Sequence, residues 1–385
     1  MSNFLNNYND FIKKYNMVGS NVVFLKNDVS KDTNEGIELV SSGYSDLESK
    51  TLSNYKNIYR IASISKIIVA IGLLKLYDKG LVDLDEDISK YLGFKVRNPK
   101  FPEKKITLRM VLTQTSSIID DGALIDGIYK GYDGSNSTDD YIELEELLTP
   151  GSKRFYKGYS EFEPGSTFIY SNLGCGILAC TIERITGRYF PDYIKEELLH
   201  PLEIYSGFRL EDIKDIDSLV THYRFNDNKF IRHRDFNSFK KVQCLKYPIG
   251  QNYRGVAGGL YISAFDLSKI MKMLMNKGVY NNIRILNEET VKEMEKVQWK
   301  LKDGDYVSDS TYKAKGLQMI IMDEFTDIPL KGHFGNAYGL RSFMLYNEKG
   351  GIIFLCNGAD FINDVEHMTI LQEEVIKYLV EKTNL

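Results

Sequence analysis

The stretch from Ile58 to Gly80, IYRIASISKIIVAIGLLKLYDKG, constrains this chain more than any other. It opens on a strand-like run, Ile58 to Ala62, and Ser63 then stands where a helix should begin. From Ile67 onward Ile68, Ile71, Leu74 and Leu76 recur on or near one helical stripe, and Gly80 stops it. Ser63 and Lys66 are three apart, so on a helix they share a face. A hydroxyl at the first turn of a buried helix, with an amine one turn on, is an arrangement that activates a serine.

Ser-x-x-Lys also begins at Ser53, Ser238 and Ser310, where a capping serine with a solvated lysine explains the match. Only at Ser63 does the triplet open a long apolar helix, with Lys66 set among Ile64, Ile67, Ile68 and Val69 and pointing inward.

Composition bounds what such a helix can serve. The 385 residues suffice for two or three domain-sized units or one large fold with an insertion. A hydrophobic content of 43% and a charged content of 26% are those of an ordinary globular chain. The formal net charge of −4 offers no basic footprint for nucleic acid and no polybasic patch for a membrane. Cys175, Cys180, Cys244 and Cys356 lie scattered in apolar contexts and read as buried free thiols. His200, His222, His233, His333 and His367 show no paired ligand spacing, so neither metal nor cofactor is expected. The opening residues MSNFLNNYNDFIKKYN have no apolar core of a signal peptide, and no run approaches a membrane span, which gives a cytoplasmic expectation. No obligate protein partner is evident; the expected partner is a small-molecule or peptide substrate.

Residues 2 to 15 read as an amphipathic helix, and Val22 to Leu25 and Ile37 to Val40 as strands. After the central helix come a short helix within LVDLDEDISKYL, a helix from Ile106 to Thr113, and a polar stretch, 114 to 163, read as short helices and loops lining a cleft. Asn172 to Thr186 and Asp192 to Leu199 follow as helices; residues 203 to 250 show no strong pattern. The small residues of GVAGGLYI, 255 to 262, allow close backbone approach. Asp266 to Met275 and Thr290 to Val297 read as helices, Ala314 to Met322, Phe343 to Tyr346 and Gly351 to Cys356 as strands, and Glu366 to Lys382 as a last helix. The expected fold is α/β (α+β): an antiparallel sheet with strands from both termini, sandwiched by helices and split by a mostly helical insertion. Residues 1–385 then form a single domain, with 1–95 and 255–385 as its α/β part and 96–254 as its helical part.

A serine nucleophile needs a base and an oxyanion site. Three segments can supply them: Ser63 to Lys66, Tyr170-Ser171-Asn172 ahead of an apolar helix, and His333-Phe334-Gly335 between strand-like runs. Tyr-x-Asn also occurs at Tyr55 and Tyr280, and His-x-Gly by itself reads as a turn, so order and context carry the weight. A phenol can accept a proton when a cation lies close by.

With these motifs the chain resembles the serine β-lactamase-like hydrolases, in the branch of class C β-lactamases, D-alanyl-D-alanine carboxypeptidases, D-aminopeptidases and related esterases. The resemblance runs from about Val22 to Lys377 and includes YRIASISK, ITLRMVLTQTS, FEPGSTFIYSN, HPL, AGGLYISAFDLSK and GHFG. It implies Ser63 as the acylated nucleophile, Lys66 and Tyr170 sharing the base role, and Tyr170 activating water for deacylation. It places Asn172 and His333 against the substrate, with His333 and Gly335 on the sheet-edge strand. The backbone N–H groups of Ser63 and Asn336 would form the oxyanion hole.

Departures from the family pattern shape the substrate expectation. Phe334 stands where a threonine hydroxyl helps bind a carboxylate, and Asn336, Ala337 and Tyr338 replace small residues. Leu112 to Ser117 carries Gln114 and Ser117 in place of histidine and glycine. These changes put penicillin hydrolysis in doubt; Arg341 reads as a surface ion pair ahead of a substituted carboxylate contact. The leading expectation is a serine hydrolase forming an acyl-enzyme from an ester or amide. The alternatives are a true β-lactamase or D-Ala-D-Ala carboxypeptidase, and a non-catalytic binding or sensor protein on the same fold.

Overall fold

The computed structural model describes residues 8, 10–26, 37–120, 124–125, 128–129, 142–153, 155, 158–242, 247–306, 309, 311–337, 339–360 and 368–385. Its frame is a nine-stranded antiparallel sheet. The strands are β1 (Gly19–Lys26), β2 (Ile37–Asp46) and β3 (Thr51–Leu52) from the start of the chain. A separate pair, β4 (Ile58–Arg60) and β5 (Tyr261–Ser263), stands beside the sheet. The later strands are β6 (Trp299–Lys300), β7 (Ala314–Lys315), β8 (Ile320–Met322), β9 (Leu330–Ala337), β10 (Leu340–Tyr346) and β11 (Gly350–Cys356). The order β6-β7-β8-β9-β10-β11-β1-β2-β3 sets the last strand beside the first, so both ends of the chain build one sheet.

Alternation along each strand feeds two cores. Val23 and Leu25 enter the larger core with Met344 and Ile353, and Val22 and Phe24 enter the smaller one with Phe343 and Phe354. Helix α4 (Ile370–Thr383) covers the smaller core with Leu371, Val375, Ile376 and Leu379, a helical spacing. Thr369 caps it by accepting from Gln372 N–H. On the other face lie α1 (Ser65–Asp78), α2 (Asn172–Thr186) and α3 (Ala264–Met275). Most of α1 is buried all round, as expected of a helix between a sheet and other helices. Among the described residues, no helix is long and apolar enough to cross a membrane.

Several local expectations are corrected. Residues 10–14 are helical, while Phe4 and Leu5 lie outside the described residues. Ala314 to Met322 is not one strand but the two short strands β7 and β8, joined through Gln318 at a φ of 54°. The helix read over Asp192 to Leu199 begins at Phe190 and passes into a π turn at Lys195–Leu199. The patternless 203–250 stretch holds a hairpin, His222–Asn226 against Lys229–Arg234. Its turn residues Asp227 and Asn228 have φ values of 49° and 58°, the left-handed conformation that a two-residue hairpin turn requires. The final helix starts at Ile370, and 361–367 lie outside the described residues.

Two glycines let the backbone close around Ser63. A Cβ on Gly335 in β9 would stand 2.3 Å from the Ile61 carbonyl oxygen and 2.4 Å from Ser342 Oγ. One on Gly259 would stand 2.3 Å from the Gly255 carbonyl oxygen. Neither contact is tolerable, so only glycine lets β9 come this close to the Ile61 carbonyl and lets the GVAGG turn close on itself.

The smaller core also holds a lysine. Lys315 is fully buried, with its amine 5.1 Å from the Tyr312 ring centroid and 5.5 Å from that of Phe168. Among the described residues the amine has no hydrogen-bond acceptor. Burial, with repulsion from Lys66 added, lowers its pKa to about 7. An unfolded lysine titrates near about 10.4. Between these values the unfolded chain binds the extra proton, so stability rises with pH across that window and the penalty is complete below it. Lys315→Met should therefore be more stable than the wild type at pH 7, by on the order of 3–5 kcal/mol, with the gain shrinking toward pH 10. Urea unfolding at pH 7 and pH 9 measures this; a variant less stable by the same amount at both values contradicts it.

Candidate active site

Ser63 is delivered by the end of β4. Ile61 N–H donates to the Leu260 carbonyl at 3.0 Å, which ties the strand end to β5. The helix expected to begin at Ser63 is preceded by a single 3-10 turn, Ala62–Ile64, and α1 starts at Ser65. Ala62 has a φ of 48°, rare for a residue with a side chain, so the backbone is strained one residue before the serine. Ser65 pins the turn: its hydroxyl donates to the Ala62 carbonyl at 2.6 Å and accepts from Leu260 N–H at 3.1 Å.

Lys66 is fully buried and has three acceptors. Its amine donates to Ser63 Oγ at 3.1 Å, Asn172 Oδ1 at 2.7 Å and the Ala257 carbonyl at 3.1 Å. An ammonium has three protons, so this set matches its donor capacity. The same amine lies 4.7 Å from the Tyr170 ring centroid, and the Tyr170 hydroxyl oxygen is 2.7 Å from Ser63 Oγ. Ser63 and Lys66 from one segment and Tyr170 and Asn172 from another thus form one contiguous hydrogen-bonded group.

Asp120 belongs to this group although no motif singled it out. Its Oδ2 accepts from Asn172 N–H at 2.8 Å and from Asn172 Nδ2 at 2.8 Å. Its Oδ1 accepts from Leu173 N–H at 2.9 Å and Ser171 Oγ at 3.1 Å. The carboxylate thereby closes the N-terminus of α2, where negative charge is favoured. The one available signal was that exposed helix end, which needed acceptors beyond Ser171; nothing in a single sequence says they come from residue 120.

His333 is buried on β9, and its ring centroid is 6.3 Å from that of Tyr170. Its Nδ1 lies 2.6 Å from the Phe334 carbonyl, which only accepts, so Nδ1 carries the proton. Pairing of β8 with β9 runs over Leu330–Gly332, and beyond it the Ala62–Ile64 turn lies on β9 at Gly335.

The other sequence candidates on β9 and β10 fall on the far face. Phe334 points into the smaller core, its ring edge-on to Phe343 at 6.2 Å, and so does not take the place of a substrate-facing hydroxyl. The Asn336 side chain exchanges hydrogen bonds with Gln372 of α4 at 3.1 and 2.8 Å, which leaves only its backbone toward the β9 edge. Arg341 is paired with Asn336 and Cys356, the latter in the smaller core, so it also belongs to the face away from Ser63. Tyr338 lies outside the described residues. Ser117 has a φ of 66°, the conformation that favours glycine, and Gln114 Nε2 donates to Gln318 Oε1 at 3.0 Å. Cys175, Cys180 and Cys356 are free buried thiols; burial pushes Cys175 up to about 12, so it is no nucleophile. Among the described residues, no cluster of His, Cys, Asp and Glu could hold a metal ion.

A family model described as Beta-lactamase matches residues 10–376. Penicillin-binding protein 4* of Bacillus subtilis is 27% identical over 161 residues, 42% of this chain and 32% of that protein. Protein flp of Staphylococcus aureus strain MRSA252 is 24% identical over 227 residues, 59% of this chain and 42% of that one. The matches thus span well under half of these curated relatives' own length. The octameric penicillin-binding protein homologue from Pyrococcus abyssi superposes with a TM-score of 0.72 at 22% identity, over 100% of this chain and 77% of that one. D-amino acid amidase from Ochrobactrum anthropi SV3, complexed with D-phenylalanine, superposes with a TM-score of 0.71 at 21% identity, over 97% and 96%. At such identities these two likenesses are likenesses of fold. The sheet, the helices on its two faces and a family match over nearly the whole length agree: the chain belongs to the Beta-lactamase family.

Proposed function

We propose that this chain is a serine hydrolase that forms an acyl-enzyme at Ser63 from an ester or amide. The observation that carries the proposal is that Ser63 Oγ lies within hydrogen-bond reach of both the Tyr170 hydroxyl, at 2.7 Å, and the Lys66 amine, at 3.1 Å. In acylation, Ser63 Oγ attacks the carbonyl carbon and its proton passes to the Tyr170 oxygen. The Lys66 amine, 4.7 Å from that ring centroid and 3.1 Å from Ser63 Oγ, faces the negative charge that develops during the transfer. The same proton then goes to the leaving alcohol or amine as its bond to the acyl carbon breaks. Water then attacks the acyl carbon as its proton passes to Tyr170, and Tyr170 returns that proton to Ser63 Oγ as the ester bond breaks and the acid leaves. The backbone N–H groups of Ser63 and Asn336 would hold the oxyanion, Asn172 and His333 would flank the substrate, and Gly335 would keep β9 close.

A second reading, β-lactam or D-Ala-D-Ala turnover, gains from one observation. Phe334 faces the smaller core, so its ring is no obstacle to a carboxylate at Ser63. Rates with p-nitrophenyl esters, D-amino acid amides and nitrocefin separate the two readings; the leading one expects esters or amides to be cleaved faster. Nitrocefin cleaved far faster than every ester and amide tried makes the second reading the right one.

Tyr170→Phe removes the oxygen and keeps the ring, which packs 5.7 Å from Tyr312. Hydrolysis of a neutral ester should fall by about 10²- to 10⁴-fold with the thermal melt preserved. Tyr55→Phe and Tyr280→Phe, at the other two Tyr-x-Asn matches, should leave the rate unchanged. Near-full activity in Tyr170→Phe rules out Tyr170 as the base.

A further inference from the structure

We infer that Asp120 is a positioning residue: it fixes which way the Asn172 amide points and, through that amide, where Lys66 is held against Ser63. The inference rests on the acyl-transfer reading above. The two ends of an asparagine amide have nearly the same shape, so packing alone does not choose between them. An ionised carboxylate accepts and never donates. Asp120 Oδ2, 2.8 Å from Asn172 Nδ2, therefore requires the NH2 group on its own side. The amide oxygen is then turned toward Lys66, 2.7 Å from its amine. A flipped amide would point N–H groups at the ammonium and leave one of its three protons without an acceptor inside the protein, which is costly. Asp120 is itself held in place by Asn172 N–H at 2.8 Å, Leu173 N–H at 2.9 Å and Ser171 Oγ at 3.1 Å. The line from Asp120 to Ser63 thus runs through two side chains: the Asn172 amide, with its NH2 and oxygen ends assigned, and the Lys66 amine, which donates at both of its contacts on this line.

The bland alternative is that Asp120 only caps α2. The two separate by rate. Asp120→Asn keeps size and removes the acceptor-only character, so the Asn172 amide can turn. The rate of acyl-enzyme formation should fall by about 10²-fold with KM little changed, as for a reacting group moved by a fraction of an ångström to an ångström. Gly187→Ala strains the left-handed cap at the far end of α2, where φ is 67°, and so weakens the helix without touching Asp120 or Asn172. It should lower the melting temperature and leave the acylation rate near that of the wild type.

A double-mutant cycle adds a readout that a mere cap does not move. An aspartate at 172 presents an acceptor to Lys66 whichever way it turns. In the Asn172→Asp background, Asp120→Asn should cost far less in acylation rate than in the wild type. Equal cost in both backgrounds, or Asp120→Asn acylating at the wild-type rate, overturns the positioning role. The wild type supplies an independent check if a variant fails to fold. Its Asn172 side-chain amide protons should exchange slowly with solvent by NMR, and exchange at the rate of a free amide contradicts the lock. Wild-type protein that takes no acyl group at Ser63 sinks the hydrolase reading and this inference together. Acylation that is indifferent to Asp120 sinks only the latter.

Discussion

Burying an ammonium with an unmet proton costs several kcal/mol, so the position of Lys66 is set by where three acceptors can be gathered. They come from separate parts of the chain: Ser63 at the head of the same helix, Asn172 at the head of α2, and the Ala257 carbonyl in the glycine-rich turn before β5. Each part is brought there by something else. The β4–β5 pair and Ser65 hold the serine turn, Asp120 holds the Asn172 amide, and Gly259 lets the turn fold tightly on itself. Lys315 is the contrast. It is equally buried but meets ring faces, and it loses its preference for the charged form near neutral pH.

β9 is an inner strand of the sheet and not the edge strand expected for His333, but one side of it is left open past Gly332. β8 accompanies β9 only as far as Gly332, and past that point the serine turn lies against β9 at Gly335. A hydrolase of the kind proposed needs backbone donors from two segments aimed at one small volume. An interrupted strand edge beside the first turn of a helix offers that arrangement without any side chain.

Much of this is legible in the residues. The apolar stripe after Ser63 and the Ser171 cap before Asn172 are local signals, and α2 lies where periodicity puts it, Asn172–Thr186. The expectation for Phe334 fails although its face is readable. Residues next to each other on a strand point to opposite sides, so with His333 toward Tyr170, Phe334 has to face away. The same parity removes the Asn336 and Arg341 side chains from the site. The Asp227-Asn228 pair is a hairpin signal hidden in a polar stretch. Asp120 is beyond reach, since hydrogen bonds across some fifty residues leave no periodic trace in one sequence.

If Ser63, held between Tyr170 and Lys66, is the nucleophile, it must carry the acyl group. Intact-mass spectrometry after exposure to a reactive acyl or fluorophosphonate probe, followed by peptide mapping, reads this out. A single adduct is expected, located on Ser63 and absent from Ser63→Ala. An adduct on Ser53, Ser238 or Ser310, or an equal adduct in Ser63→Ala, would contradict it.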